Sequence, residues 1–316
     1  MEHDVHLKVS SYECCMLCPR KCRADRHAGK RGFCGQTDEI RLARAALHFW
    51  EEPCISGKNG SGAVFFTGCT LRCIFCQNRE ISTGESGKAV NTEELARIFL
   101  NLKEKGAHNI NLVTPTHFMP SVCDALKLSG EQGFDLPVIS NTSGYERVQC
   151  IREFGNDIDI WLTDIKYADP LLAGRFSGAY DYTEYAYPAL EEMVRQAGGA
   201  LFDEAGLMKK GVIVRILVLP GHTKEAKAVL DKLYHCYGND IYYSIMNQYT
   251  PPVFLRNGGM IKEYTELNRR LTKREYDKVT EYALSLGIEN AFIQEGETSF
   301  DSFVPAFDLT GVLGEG

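Results

Sequence analysis

Phe66-Thr67-Gly68-Cys69-Thr70-Leu71-Arg72-Cys73-Ile74-Phe75-Cys76-Gln77-Asn78 carries the reading of this chain. It follows the apolar run AVFFT (63–67), so the three cysteines are expected in a loop leaving a strand. Their C-x3-C-x2-C spacing lets three thiolates wrap one compact metal centre. A four-iron cube offers four iron corners, and three local cysteines leave one of them without a protein thiolate. An open position marks a catalytic rather than a structural centre. A zinc knuckle would want a fourth ligand close by, and neither Cys nor His follows within the loop. Gly68 permits the sharp turn into it.

Outward from this loop, short apolar runs alternate with amphipathic segments. The runs are AVFFT (63–67), NINLV (109–113), PVIS (137–140), IDIWL (158–162), VIVRILVL (212–219) and DIYYSI (240–245). One helix is predicted to begin at Asn91, with Glu94 closing a capping box and Leu95, Ile98, Phe99 and Leu102 on one face. A late helix repeats this grammar with Thr272 and Glu275 as the cap, Val279, Ala283 and Leu286 as the stripe and Gly287 as the stop. Alternating strands and helices imply an α/β fold with a parallel sheet and right-handed crossovers. Six units fit, which predicts a partial (β/α)6 TIM-like barrel, with one more strand at Ala291–Gln294. In such folds the chemistry gathers at the C-terminal ends of the strands.

The 316 residues include 12 cysteines, and eight of them fall between Cys14 and Cys76 when Cys54 is set aside. Cys15, Cys18, Cys22 and Cys34 make a four-ligand set suited to either zinc or an auxiliary [4Fe-4S] cluster. Residues 1–55 are therefore expected as a Cys-rich metal-binding extension, and 56–316 as the barrel with a C-terminal extension. Cys54, Cys123, Cys150 and Cys236 read as packing residues. A net charge of −7 argues against nonspecific nucleic-acid binding. The amino terminus shows no export-signal pattern, and no apolar run reaches the ~20 residues of a membrane helix. The expected location is the cytosol, where clustered cysteines serve metals rather than disulfides.

The C-x3-C-x-aromatic-C loop after a first strand resembles the signature of radical S-adenosylmethionine (SAM) enzymes. RAALHFWEEPCISG, GAHNINLVTPTHF, NTSGYE, DIKYADP and MNQYTP resemble the subgroup similar to pyruvate formate-lyase activating enzyme. The resemblance implies a [4Fe-4S] cluster on Cys69, Cys73 and Cys76 whose unique iron chelates SAM, reductive cleavage to a 5′-deoxyadenosyl radical, and hydrogen abstraction from a substrate. It places Phe75 against the adenine. Where the family often carries Gly-Gly-Glu for the SAM amino group, this chain has Thr114-Pro115-Thr116-His117, so Thr114 or Thr116 would take that contact. Asn141 and Ser143 match the activases' third-strand segment, Asp164 and Lys166 their Asp-x-Lys, Arg215 the fifth strand and Gln248 the exit of the sixth. The implied partners are an electron donor such as flavodoxin or ferredoxin, and a glycyl radical enzyme as substrate. The alternative is a small molecule or another protein residue. A non-catalytic zinc or redox protein is a more distant reading.

Overall fold

The computed structural model describes residues 11–84, 86–251, 262–294 and 305–312; residues 1–10, on which the reading of an export signal falls, lie outside them. The strands are β1 (Ile40–His48), β2 (Ser61–Phe66), β3 (Lys88–Val90), β4 (Ile110–Val113), β5 (Val138–Thr142), β6 (Ile160–Asp164), β7 (Leu201–Phe202), β8 (Met208–Leu217), β9 (Tyr242–Met246) and β10 (Ala291–Ile293). Across the sheet they run β3-β1-β2-β4-β5-β6-β8-β9-β10, with β7 paired onto β8. From β2 to β10 every neighbouring pair is parallel. All six expected runs are strands, and Ala291–Ile293 adds a seventh to the parallel set. β2 is buried along its whole length, as a strand covered on both faces must be.

The helices of two or more turns are α1 (Thr92–Glu104), α2 (Met119–Gly130), α3 (Val148–Phe154), α4 (Pro170–Ser177), α5 (Tyr182–Ala197), α6 (Thr223–Tyr237) and α7 (Lys273–Leu286). The α1 capping box is present in both directions. The Glu94 amide donates to Asn91 Oδ1, and the Asn91 amide donates to Glu94 Oε2, each at 2.8 Å. Leu95, Ile98, Phe99 and Leu102 are buried, as the stripe requires. The Thr272–Glu275 box and the left-handed Gly287 frame α7 in the same way.

The expected boundary at residues 55/56 does not separate two units. β1 pairs antiparallel with β2 and β3, so 40–48 belongs to the sheet rather than to the Cys-rich extension. The carboxy-terminal stretch also lies along β1: the Leu309 amide donates to the Ala43 carbonyl (3.0 Å), and the Ala45 amide to that of Thr310 (2.9 Å). Arg41 and Arg44 interrupt the apolar pattern of β1. Their charge makes the segment look like part of the basic Cys-rich region, although Leu42, Ala43 and Ala45 are buried. Among the described residues, no helix is long and apolar enough to cross a membrane.

Candidate active site

The cysteine loop leaves the end of β2 and is pinned by α4. The Arg72 amide donates to the Ser177 carbonyl (3.0 Å), and the Ile74 amide to that of Phe176 (2.8 Å). Gly68 turns with φ +86°, and a Cβ there would lie 2.6 Å from the Cys34 carbonyl oxygen. The Leu71 amide donates to Cys69 Sγ (3.4 Å), and Cys73 Sγ lies 2.9 Å from Ser177 Oγ. Burial pushes the Cys69 thiol up to about 12 and the Cys76 thiol up to about 11, with Cys73 adding to both shifts. Burial raises Cys73 as well, while the Lys166 ammonium pulls it down. Such a crowded thiol set favours its thiolate form once a metal supplies positive charge.

All three cysteines line one cavity of about 590 Å³, a size usual for cofactor and ligand sites. No fourth cysteine stands among its described lining residues, so the donor set fits a [4Fe-4S] cluster held at three corners. Among the described residues, no group of three or more His, Cys, Asp or Glu side chains is gathered as a ready metal-ion site. The fit therefore rests on spacing, burial and the shared cavity.

Phe75, Thr114, Asn141, Ser143, Asp164, Lys166, Arg215 and Gln248 line the same cavity. They come from the cysteine loop and the ends of β4, β5, β6, β8 and β9, as the strand-end rule requires. Phe75 is wedged edge-on against Phe176 and Tyr249. The Lys166 ammonium bonds Asp164. Burial works against that ammonium, but the charges of Asp164, Cys73 and Cys76 outweigh it and hold the amine above its ordinary range. Ser143 Oγ is buried with no hydrogen-bond partner among the described residues.

Thr116 stands apart from the other candidates and does not line the cavity. Its hydroxyl donates to Glu146 Oε1 (2.6 Å), because the turn after β4 folds Thr116–Phe118 inward beneath the sheet end. His117 is buried there too, with Nε2 2.7 Å from the Thr67 carbonyl; burial drops its pKa to about 3 and keeps it neutral. Thr114 is thus the member of the Thr-Pro-Thr-His segment that reaches the cavity.

Sequence reasoning missed a second charged group on the cavity wall, that of Glu51 and Glu52. Arg215 bonds both Glu51 and Glu52, with Nε donating to Glu52 Oε1 at 2.8 Å. Asn111 Nδ2 donates to Glu51 Oε1 at 2.8 Å. Burial acts against the Glu52 carboxylate, yet the guanidinium holds its pKa below the usual range. Arg215 is therefore already offset by two carboxylates. His48, Trp50 and Phe65 complete this end. The one available signal was the acidic pair before Pro53 at the close of β1; without the pairing to Arg215, 163 residues away, it reads as a solvated turn.

The sequence model of the radical SAM superfamily matches residues 63–233. This chain belongs to the radical SAM superfamily. It is 27% identical over 295 residues to an uncharacterized protein of Methanocaldococcus jannaschii, covering 90% of this chain and 78% of that one. It is 31% identical over 120 residues to the pyruvate formate-lyase-activating enzyme of Clostridium pasteurianum, covering 36% of this chain and 49% of that one. Among solved structures, SuiB of Streptococcus suis bound to S-adenosylmethionine superposes with a TM-score of 0.43 at 16% identity, over 73% of this chain and 46% of that one. The chain thus spans less than half the length of that solved relative. Membership of the superfamily carries SAM cleavage by a radical mechanism and implies the [4Fe-4S] cluster that performs it.

Proposed function

We propose that this radical SAM enzyme abstracts a hydrogen atom from a protein substrate, as an activase of a glycyl radical enzyme does. The observation that carries the reading is one cavity gathering Cys69, Cys73 and Cys76 with the Asp164–Lys166 pair. When loaded and reduced, the cluster supplies the electron that cleaves SAM to methionine and a 5′-deoxyadenosyl radical. The chain's own residues do the rest. Cys69, Cys73 and Cys76 would hold a [4Fe-4S] cluster and leave it one corner free for SAM. Lys166 presents a fixed cation to that carboxylate, Phe75 packs on the adenine, and Thr114, Asn141, Ser143 and Gln248 supply polar contacts. The electron comes from a flavodoxin or ferredoxin in the cytosol.

The partial match to the activating enzyme of C. pasteurianum and the Asp-x-Lys segment support the activase reading. The Glu51–Glu52–Arg215 wall favours a second reading, hydrogen abstraction from a small molecule or a non-glycyl residue with hydrogen-bond donors. The test reconstitutes the protein anaerobically, reduces it with SAM present and measures 5′-deoxyadenosine with and without host extract. No deoxyadenosine under either condition sinks the enzyme reading. Deoxyadenosine without a glycyl radical signal on any partner sinks the activase and leaves the second reading.

A further inference from the structure

Arg26 is fully buried, and the partners of its guanidinium include no carboxylate. Nε and Nη2 donate to the Thr37 carbonyl, Nη1 donates to the His117 carbonyl at 2.6 Å, and Nη1 also lies 3.6 Å from Cys15 Sγ. The rings of Tyr12 and Phe118 flank it. A guanidinium keeps its charge at any physiological pH, and a buried charge is costly without a counter-charge. The anion-forming groups that act on it most strongly are the sulfurs of Cys34 and Cys15, ahead of the Tyr12 phenol.

The chain around those sulfurs is shaped to gather two more. The Arg23 amide donates to the Cys15 carbonyl (2.9 Å), and the Cys15 amide to that of Ala24 (3.0 Å), doubling the loop back on itself. Cys22 is flanked by Lys21 at φ +41° and Arg23 at φ +53°, left-handed conformations that side chains other than glycine adopt only under constraint. Cys22 Sγ and Cys34 Sγ both crowd Gly32, so a Cβ there would meet them at 3.2 and 3.4 Å. Cys15, Cys18 and Cys34 are buried, and Cys22 is the exposed member.

We infer that Cys15, Cys18, Cys22 and Cys34 bind a second metal centre in tetrathiolate coordination, with Arg26 as its buried counter-cation. The ligand class is a thiophilic metal, either one zinc ion or one [4Fe-4S] cluster. Either yields a dianionic tetrathiolate, which Arg26 half-neutralises, and either releases the thiol protons to solvent; zinc does so with no redox step, and the cluster does so when two of its four irons are supplied as ferric iron. The sulfurs do not yet close on one point, and loading draws the exposed Cys22 inward. The centre is braced against the catalytic loop: Arg20 Nε donates to the Thr70 carbonyl (2.8 Å), and the Cys34 carbonyl packs on Gly68. The site does not depend on the reaction proposed for the cavity.

The test counts metal in protein reconstituted anaerobically with ferrous and ferric iron, sulfide and zinc. The variant Cys69→Ala/Cys73→Ala/Cys76→Ala, which lacks the cavity ligands, should retain about four irons or about one zinc per chain. Adding Cys22→Ala should lower that content several-fold, whereas adding Cys236→Ala should leave it unchanged. The iron-to-zinc ratio identifies the centre. A triple variant that is folded by circular dichroism and binds neither metal overturns the inference, as does a content indifferent to Cys22→Ala. Should the triple variant fail to fold, wild type decides: iron beyond about four per chain, or zinc beside it, supports the second centre. About four irons and no zinc overturn it.

Discussion

The two cysteine groups meet almost back to back, yet they face different surroundings. Cys69, Cys73 and Cys76 open onto a cavity of about 590 Å³ that also holds the Lys166–Asp164 pair. The group of Cys15, Cys18, Cys22 and Cys34 has the buried guanidinium of Arg26 beside it, 3.6 Å from Cys15 Sγ. Three thiols beside empty space leave room for a metal corner to meet a substrate. Four thiols beside a trapped cation suit a closed centre. The number of cysteines and the space in front of them together separate a reactive site from a bracing one.

The comparison breaks first at Cys73. Cys73→Ala should reduce 5′-deoxyadenosine formation to background while metal on the amino-terminal group persists. Loss of both together, measured by deoxyadenosine chromatography and metal analysis, would mean the two groups are one unit. Next in size is Arg215→Met, which leaves Glu51 and Glu52 buried without their cation. Breaking a buried ion pair in this way costs about 3–5 kcal/mol, so its urea midpoint should fall sharply. An unchanged midpoint would show that the wall does not hold the fold.

Lys166→Met probes the cavity side alone. Losing a charge-assisted contact of about 1.5–3 kcal/mol should weaken SAM binding ~10–100-fold in equilibrium dialysis, with amino-terminal metal content unchanged. Unaltered SAM affinity would remove Lys166 from the binding role.

The last test concerns Glu146, buried beside Thr116. It accepts from Thr116 and acts electrostatically on Cys18. Burial raises its carboxyl from 4.5 to about 8, so between those values the folded chain binds more protons than the unfolded one. Its stabilising contribution is complete below the unfolded pKa and is lost as pH rises toward 8, by at most about 1.4 kcal/mol per pH unit. Glu146→Gln should flatten that decline in thermal melts taken from pH 5 to 9. A parallel pair of curves would show that the carboxyl is not held neutral.

Much of this arrangement was legible along the chain. The parallel strands were visible because their apolar runs are buried on both faces and need little context. The caps of α1 and α7 were visible because a capping box closes within four residues. β1 was hidden, since Arg41 and Arg44 break its pattern and its partners lie at 61–66, 88–90 and 308–310. Thr116 looked equivalent to Thr114 in sequence, and only the inward turn after β4 separates their surroundings.

The sequence by itself determined the cysteine loop and the strand-helix alternation, because both follow from local spacing and periodicity, and the loop's resemblance to a known signature pointed to the superfamily. Only the tertiary structure decided which polar side chains share the cavity, that Arg215 belongs to Glu51 and Glu52, and that Arg26 is buried among the amino-terminal thiols. Those facts depend on burial and on contacts between residues far apart in the chain. A charge reveals its partner only when folding has removed the water that would otherwise serve in its place.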